Sequence, residues 1–189
     1  MKLITISGLD GSGKSTQAEL LKEYLKSQNK RVFYFHAIAF SLANKFARKK
    51  IGSSKSVTKA TFLQIILRRI FLMIDIWRFK KLYRKLEKEK YDYILSDRYF
   101  YDSVINIYFL SNSQKNIPCE KFIKSPDIAI YLQANPKIIM SRERKPDQGI
   151  DYLQKKKELY DEKYLTWNMK LIDGNQNQEE IYKKIKSFL

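Results

Sequence analysis

Cysteine and histidine are almost absent from this chain, which contains one residue of each, Cys119 and His36. A lone cysteine cannot form an internal disulfide bond, and one cysteine with one histidine is too few for a zinc site built from these residue types. Disulfide-stabilised secreted domains and Cys/His zinc proteins are therefore excluded as classes. We expect an intracellular protein.

A long uncharged apolar run is also missing. The most apolar segment, residues 62–79, is interrupted by Arg68, Arg69, Asp75 and Arg78, and a membrane span tolerates few such charges. The sequence starts with a strand-like run rather than with a charged and then apolar leader. We therefore expect a soluble, cytoplasmic protein without a membrane partner.

Acidic residues are scarce relative to basic ones, since 20 Asp and Glu stand against 37 Lys and Arg and give a net charge of +17. Such a charge suits an anionic ligand, either a nucleotide or a nucleic acid, and does not choose between them. Many of these cations lie on predicted helix faces, including the run Lys155, Lys156 and Lys157. Solvated surface is at least as good an interpretation of them as a binding patch.

Glycine is scarce too, yet three of the six glycines fall within residues 8–16. From Gly8 to Ser15 this segment fits the pattern G-x-x-x-x-G-K-[ST] between an apolar run and a helical pattern, which is typical of a phosphate-binding loop. The glycines let backbone N–H groups face the phosphates, Lys14 adds a positive charge, and Ser15 offers a hydroxyl to Mg²⁺. A glycine-rich turn without a ligand is the alternative, and the fixed positions in this context favour nucleotide binding. The predicted nucleotide-binding residues are Gly8, Asp10, Gly11, Ser12, Gly13, Lys14, Ser15 and Thr16.

Short apolar runs alternate with helical patterns along the rest of the chain. The runs that predict strands are residues 1–7, 31–35, 91–96, 127–132 and 169–173. Between and after them, helical patterns cover residues 14–29, 57–90, 100–110, 135–145, 150–168 and 178–188. This alternation predicts an α/β fold with a doubly wound parallel sheet, in a single domain that spans residues 1–189.

The predicted helix 57–90 is unusual because its first half is apolar on nearly every face and its second half is strongly basic. We interpret it as a buried helix, which needs partners on more than one side. Either the sheet and a neighbouring helix cover it, or a second copy of the chain does. A homodimer through this helix is our expectation.

Two further segments carry candidate catalytic charges. Asp97 and Arg98 follow the third strand, where a carboxylate can hold Mg²⁺ or take a proton and a guanidinium can bind phosphate. A surface ion pair or a helix cap is the alternative. Arg142 and Arg144 precede a Pro-Asp-Gln-Gly break at 146–149, which we interpret as the tip of a lid over about residues 141–150. A solvated basic helix end competes with this interpretation.

With these motifs the chain resembles the thymidylate kinase family, within the superfamily that also contains the deoxyribonucleoside kinases. The resemblance extends over nearly the whole chain. It rests on the loop at 8–17, on the Asp-Arg-Tyr sequence 97–99, and on 171–174 followed by 179–181. The region 130–134 with Arg142, Tyr152, Tyr160 and Trp167 is closer to the deoxyribonucleoside kinases. The shared fold implies a five-stranded parallel sheet with strand order 2-3-1-4-5, and ATP and Mg²⁺ as cofactors.

The resemblance also implies roles for individual residues. Lys14, Ser15 and Thr16 would contact the ATP phosphates and Mg²⁺, and Asp97 would be a carboxylate on the magnesium side. Asp10 would contact the sugar of the acceptor, Arg98 its phosphate or the transferring group, and Tyr99 would belong to the substrate site. Because position 11 is glycine where one family type has an arginine, the catalytic cations would come from the lid, as Arg142 or Arg144.

One segment departs from the family pattern. After the second strand the chain reads His-Ala-Ile-Ala-Phe at 36–40, without the arginine or glutamate that the family carries there. Arg48, Arg68, Arg69 or Arg78 could supply the missing cation. Arg78 is our first choice for a substrate-binding arginine, because it stands twenty positions before Arg98.

These features lead to three functional hypotheses. The first is a nucleoside monophosphate kinase that transfers the γ-phosphoryl group of ATP to dTMP and produces dTDP and ADP. The second is a kinase for a deoxynucleoside or another small hydroxyl compound. The third, a nucleic-acid-binding NTPase, is disfavoured because the sequence has no RNA-binding motif and no second NTPase motif beyond Asp97. Small nucleotides are thus the expected partners.

Overall fold

A computed structural model describes residues 1–43, 60–113 and 117–189 of the chain. Its strands are β1 (Lys2–Gly8), β2 (Val32–Phe35), β3 (Tyr93–Asp97), β4 (Ile128–Gln133) and β5 (Lys170–Asp173). Its α-helices are α1 (Lys14–Ser27), α2 (Ala37–Phe40), α3 (Phe62–Lys88), α4 (Phe100–Ser111), α5 (Pro136–Met140), α6 (Ile150–Lys163) and α7 (Gln178–Lys186). A short 3₁₀ helix covers Glu120–Phe122.

The five strands form one parallel sheet in the order β2-β3-β1-β4-β5. The predicted fold class and strand order are thus confirmed. β1 is central, with Ile6 opposite Asp97 of β3 and Gly8 opposite Leu132 of β4. In a parallel sheet the carboxyl ends of all strands meet at one edge, so the loops after β1, β2 and β3 lie side by side.

The central strand is apolar along its length because both faces of the sheet are covered. Leu3 packs into a cluster shared with α3, α4 and α6, whereas Ile4 and Ile6 pack into a second cluster with α1 and α7. Residues 3 to 8 are all buried. The rigid middle of the sheet therefore leads directly into the glycine-rich loop.

Helix α3 contradicts its interpretation as a buried helix. It buries Leu72, Asp75, Ile76, Phe79 and Leu86, mostly in its second half. Its first half exposes large apolar side chains instead, among them Phe62 (79%), Leu63 (65%) and Ile70 (46%), and Trp77 (57%) is exposed just past the middle. The sheet and α4 cover only one side of the helix, so these apolar side chains remain exposed in the described part of the chain.

The helix after β4 is also shorter than predicted. Asn135 caps it, Pro136 occupies the first turn, and it ends at Met140. Arg142 and Arg144 therefore lie in turns rather than on a helix, and the next helix starts only at Ile150. The chain leaves the helix one residue before the predicted lid begins, which gives the lid segment an irregular backbone.

No helix within residues 1–43, 60–113 or 117–189 combines the length and the apolar character that a membrane span needs.

Candidate active site

The loop between β1 and α1 is a tight cradle of backbone. Gly8, Gly11 and Gly13 all have positive φ angles, of 149°, 79° and 96°. A Cβ atom on Gly8 would lie 2.5 Å from the carbonyl oxygen of Leu132, and one on Gly11 would lie 2.8 Å from Cγ2 of Ile139. Neighbouring elements thus leave no room for side chains at these two positions, where glycine also suits the positive φ angles.

Lys14 starts α1 and folds back under this loop. Its side chain is 3% exposed, and Nζ donates hydrogen bonds to the Leu9 carbonyl oxygen at 2.5 Å and to Ser12 Oγ at 3.5 Å. Burial lowers the pKa of Lys14 to about 8, and the nearby Arg98 guanidinium acts in the same direction. Ser15 and Thr16 follow on the exposed first turn of α1, whose N–H groups favour an anion.

Arg98 lies at the carboxyl end of β3 with a left-handed backbone, φ 75°. Three hydrogen bonds hold it there: its N–H donates to the Ile6 carbonyl, and its carbonyl accepts from Ser96 Oγ and from the Ala37 N–H. The guanidinium forms an ion pair with Asp10 in the glycine-rich loop. The structure therefore brings together two residues that the sequence assigns to the substrate.

The ion pair controls the charge of both partners. Burial by itself would raise the pKa of Asp10, but Arg98, Lys156 and Lys14 outweigh it and hold that pKa well below its usual range. Burial alone would lower the pKa of Arg98, but Asp10 and Asp102 outweigh burial and raise that pKa above its usual range. Asp10 is thus an ionised hydrogen-bond acceptor at every physiological pH.

Asp97, one residue before Arg98, points a free carboxylate oxygen into the protein. Its side chain is 2% exposed, and Oδ2 accepts a hydrogen bond from the Tyr34 hydroxyl at 3.3 Å. Oδ1 is buried and has no hydrogen-bond partner among the described residues. A buried unpaired carboxylate oxygen is costly and invites a cation or its water. Asp97 fits the predicted role on the magnesium side.

The lid segment reaches the same loop through Arg142. Its guanidinium donates to the carbonyl oxygens of Gly11, at 2.5 Å, and of Gly174, at 3.4 Å. Arg144 is exposed. A Cβ atom on Gly11 would also lie 3.5 Å from the ring of Pro146, so the first residue of the break at 146–149 lies beside the glycine-rich loop.

Comparison with known proteins agrees with this geometry. The family model for thymidylate kinase matches residues 6–185. The chain belongs to the thymidylate kinase family. A thymidylate kinase of Thermosipho africanus is 28% identical over 98% of this chain and 96% of its own length. The probable thymidylate kinase 1 of Saccharolobus solfataricus is 27% identical, over 95% of this chain and 92% of its own.

Solved structures of the family share the fold. The thymidylate kinase of Candida albicans superposes with a TM-score of 0.68 at 18% identity, over 98% of this chain and 91% of that one. The thymidylate kinase of Ehrlichia chaffeensis gives a TM-score of 0.62 at 17% identity, over 98% and 97% of the two chains.

Reasoning from sequence missed a third carboxylate at this site of the thymidylate kinase fold, that of Asp102. Asp102 accepts hydrogen bonds from Ser7 Oγ at 2.6 Å, from the Tyr99 N–H at 2.9 Å and from the Tyr160 hydroxyl at 2.8 Å. It thereby joins β1, α4 and α6. The available signal was its place in the first turn of the helix after the Asp-Arg-Tyr sequence, where a carboxylate can cap the helix.

Sequence reasoning also missed Lys156, which it interpreted with its neighbours as solvated surface. Lys156 is only 8% exposed, and its Nζ donates to the Tyr152 hydroxyl at 2.7 Å. That hydroxyl donates in turn to Asp10 Oδ2 at 2.8 Å. Lys155 is exposed and Lys157 pairs with Asp161, so the three lysines of one run have three different environments.

Tyr99 has to be removed from the predicted substrate-binding residues. Its side chain is fully buried, packs against Phe79 and Phe100, and donates its hydroxyl hydrogen to the Lys124 carbonyl at 2.7 Å. The family motif therefore places this tyrosine in the core, where it anchors the strand end that presents Asp97 and Arg98.

The departure after β2 is filled by a helix cap and a salt bridge. His36 accepts the Ala39 N–H at its Nδ1 and caps α2, and burial lowers its pKa. Arg78 donates to the buried Asp75 of its own helix at 2.5 Å and to the Phe40 carbonyl at the end of α2 at 3.1 Å. Its guanidinium therefore already has two partners.

The other candidates for the missing cation are less informative. Arg68 and Arg69 are half-buried on α3, and Arg69 lies near Tyr108 and Cys119 rather than near the loop. Arg48 lies outside the described residues.

The cradle makes a stability prediction. Alanine at Gly8 meets the Leu132 carbonyl as well as an unfavourable φ, so we expect Gly8→Ala to lower the free energy of unfolding by about 3 kcal/mol. Gly13→Ala is the matched control, because its Cβ atom would have nothing within 4 Å. It should lose only about 1 kcal/mol from backbone strain. Urea unfolding of both variants measures the difference, and equal losses would contradict the packing of the loop against β4.

Proposed function

We propose that the protein phosphorylates dTMP with ATP and releases dTDP and ADP. The observation that carries the proposal is the juxtaposition of the glycine-rich loop and the Arg98–Asp10 ion pair at one edge of the sheet, in a chain of the thymidylate kinase family. A donor site and an acceptor site then face each other across the loop after β1. Positioning and charge stabilisation are what phosphoryl transfer requires from a protein.

On the donor side, the loop N–H groups and Lys14 would hold the ATP phosphates. Ser15 and Asp97 are the residues that would hold Mg²⁺, and the unpaired Oδ1 of Asp97 supports this assignment. When bound, Mg²⁺ would supply positive charge that offsets the negative charge of the phosphates.

On the acceptor side, the charges favour a monophosphate. A phosphate dianion next to ATP requires cations beyond Lys14, because repulsion between phosphates grows in a water-poor cleft. Arg98 at the strand end and Arg142 on the lid supply them. A nucleoside would instead need a base for its hydroxyl proton, and the sequence has no carboxylate between His36 and Ser56. The ionised phosphate oxygen of dTMP needs no such base.

Substrate identity is the first test. Wild-type protein should release ADP from ATP when dTMP is present, and thymidine or other nucleosides should not stimulate this release. The Lys14→Ala variant should fold and lose about 10²-fold or more in kcat, because its charge acts on the transferring group. A coupled ADP assay over a panel of nucleosides and monophosphates measures both. Stimulation by a nucleoside alone would overturn the proposal and make Asp97 the leading candidate for a base.

The two lid arginines can be ranked. We propose Arg142 as the main lid cation for catalysis, because it already reaches the Gly11 carbonyl, with Arg144 second. Arg142→Ala should lower kcat by about 10²-fold, as loss of a transition-state cation does. Arg144→Ala should lower it less than about threefold. A larger loss in Arg144→Ala would mean that the lid rearranges around ATP and exchanges the two side chains.

We further propose a homodimer that buries the exposed face of α3. Its apolar residues recur at alternating steps of four and three, which aligns them on one helix face: Leu63, Leu67, Ile70, Ile74 and Trp77. A face of this kind fits the same face of a second copy across a two-fold axis. The cytoplasmic location and the absence of a nucleic-acid partner stay predictions.

The dimer predicts a change in mass. Sedimentation should give about twice the chain mass at micromolar concentration for wild type, and a monomer for Ile70→Glu, whose carboxylate would be buried without a partner. Glu87→Lys is the control, because Glu87 is exposed on the same helix and stands outside the four-and-three series that defines the apolar face. A monomeric wild type, or a dimeric Ile70→Glu protein, would show that this face does not hold a second copy.

A further inference from the structure

A buried lysine on α6 has no part in the roles assigned so far. Lys156 lies in the second turn of this helix, one turn after Tyr152, and is 8% exposed. Its ammonium group donates to the Tyr152 hydroxyl and lies 4.6 Å from the centre of the Tyr152 ring and 6.0 Å from that of Phe109. Burying an ammonium group is unfavourable unless it interacts with other charges, so its surroundings deserve a functional explanation.

The hydrogen bonds lead from Lys156 to the acceptor side of the site. Tyr152 accepts a hydrogen bond from Lys156 and donates one to Asp10 Oδ2 at 2.8 Å. Asp10 Oδ1 is paired with Arg98. The carboxylate is therefore fixed at both oxygens, by Arg98 from β3 and by Tyr152 from α6, and each oxygen keeps a lone pair for a further donor.

We propose that Lys156 is a positioning residue for the acceptor: through Tyr152 it holds Asp10 ready to accept a hydrogen bond from the sugar hydroxyl of a nucleoside monophosphate. The inference rests on the proposed function, since it assumes a monophosphate acceptor at Asp10. Lys156 contributes in two ways. Its bond to Tyr152 fixes the direction in which the tyrosine donates, and its charge favours an anionic ligand.

The direction of the Tyr152 hydrogen bond depends on the protonation of Lys156. The charged groups that face Lys156 are Asp10 after β1, Arg98 at the end of β3 and Asp102 on α4, with Tyr152 on its own helix. Burial lowers the pKa of Lys156 to about 8, although Asp10 opposes this effect. Below that pH the ammonium group can only donate. Above it the neutral amine can accept a hydrogen bond from the Tyr152 hydroxyl. That hydroxyl would then no longer donate to Asp10.

This gives a signed prediction for acceptor binding. In wild type, the affinity for dTMP should fall as the pH rises through the pKa of Lys156. In Lys156→Met the side chain cannot titrate, so the part of the pH dependence that comes from this group should be missing. Lys156→Met should bind dTMP about tenfold more weakly at pH 7, as expected for the loss of one charge-assisted interaction.

The experiment uses matched variants on one helix. Lys156→Met is compared with Lys155→Met, whose lysine is exposed, by calorimetric titration with dTMP without ATP and by steady-state kinetics. We expect Lys156→Met to raise the KM for dTMP, while kcat and the KM for ATP stay within about threefold of wild type. Lys155→Met should not raise the KM for dTMP. Tyr152→Phe should weaken dTMP binding by a similar factor, and the double variant should be no worse than either single variant.

If wild type binds dTMP and Lys156→Met shows the same affinity and the same pH profile, the positioning role is wrong while the proposed function stands. Equal losses in Lys155→Met would reduce the effect to surface charge and also overturn it. If wild type binds no monophosphate, the proposed function fails and this inference fails with it. If Lys156→Met does not fold, Tyr152→Phe decides, because that variant retains the ring and removes only the hydroxyl.

Discussion

The ion pair between Arg98 and Asp10 is the interaction on which the site depends. It joins the end of β3 to the loop after β1, and both side chains are largely buried, with 23% and 18% exposed. A buried pair of this kind is costly to desolvate and more costly to break, because removal of one partner leaves the other charge unpaired. The left-handed backbone of Arg98 adds strain, which its three backbone hydrogen bonds offset. The geometry of the acceptor side is therefore fixed before any ligand arrives.

A second layer of carboxylate contacts connects this pair to the lid. Asp10 accepts a hydrogen bond from Tyr152 and Asp102 one from Tyr160, and both tyrosines belong to α6, the helix that follows the lid segment. Burial raises the pKa of both hydroxyls, with the neighbouring aspartates acting in the same direction. These hydroxyls consequently remain protonated at physiological pH and can only donate to the carboxylates. Residues 141–149 lead directly into α6, so they join a helix that is anchored at two points to the carboxylates of this site.

The sequence predicted the fold and the loop well, because both depend on local patterns. Buried parallel strands are short apolar runs, and the glycine-rich loop has fixed positions that few other structures require. Predictions that depended on tertiary cover failed. Apolar periodicity showed which residues of α3 are hydrophobic, but not that one face would remain exposed in a single chain. The run Lys155 to Lys157 has the pattern of solvated surface, and only the packing of α6 against Phe109 and Asp10 distinguishes Lys156 from its neighbours.

The balance of charges around the loop explains why a cation as deep as Lys156 is tolerated. Three cations, Lys14, Arg98 and Lys156, face three carboxylates, Asp10, Asp97 and Asp102. The cluster is close to neutral when both lysines are protonated and negative when either loses its proton. A nucleotide adds negative charge, so it binds best to the fully protonated cluster, and its arrival raises the affinity of both lysines for their protons. Binding of nucleotide and retention of the two protons therefore stabilise each other.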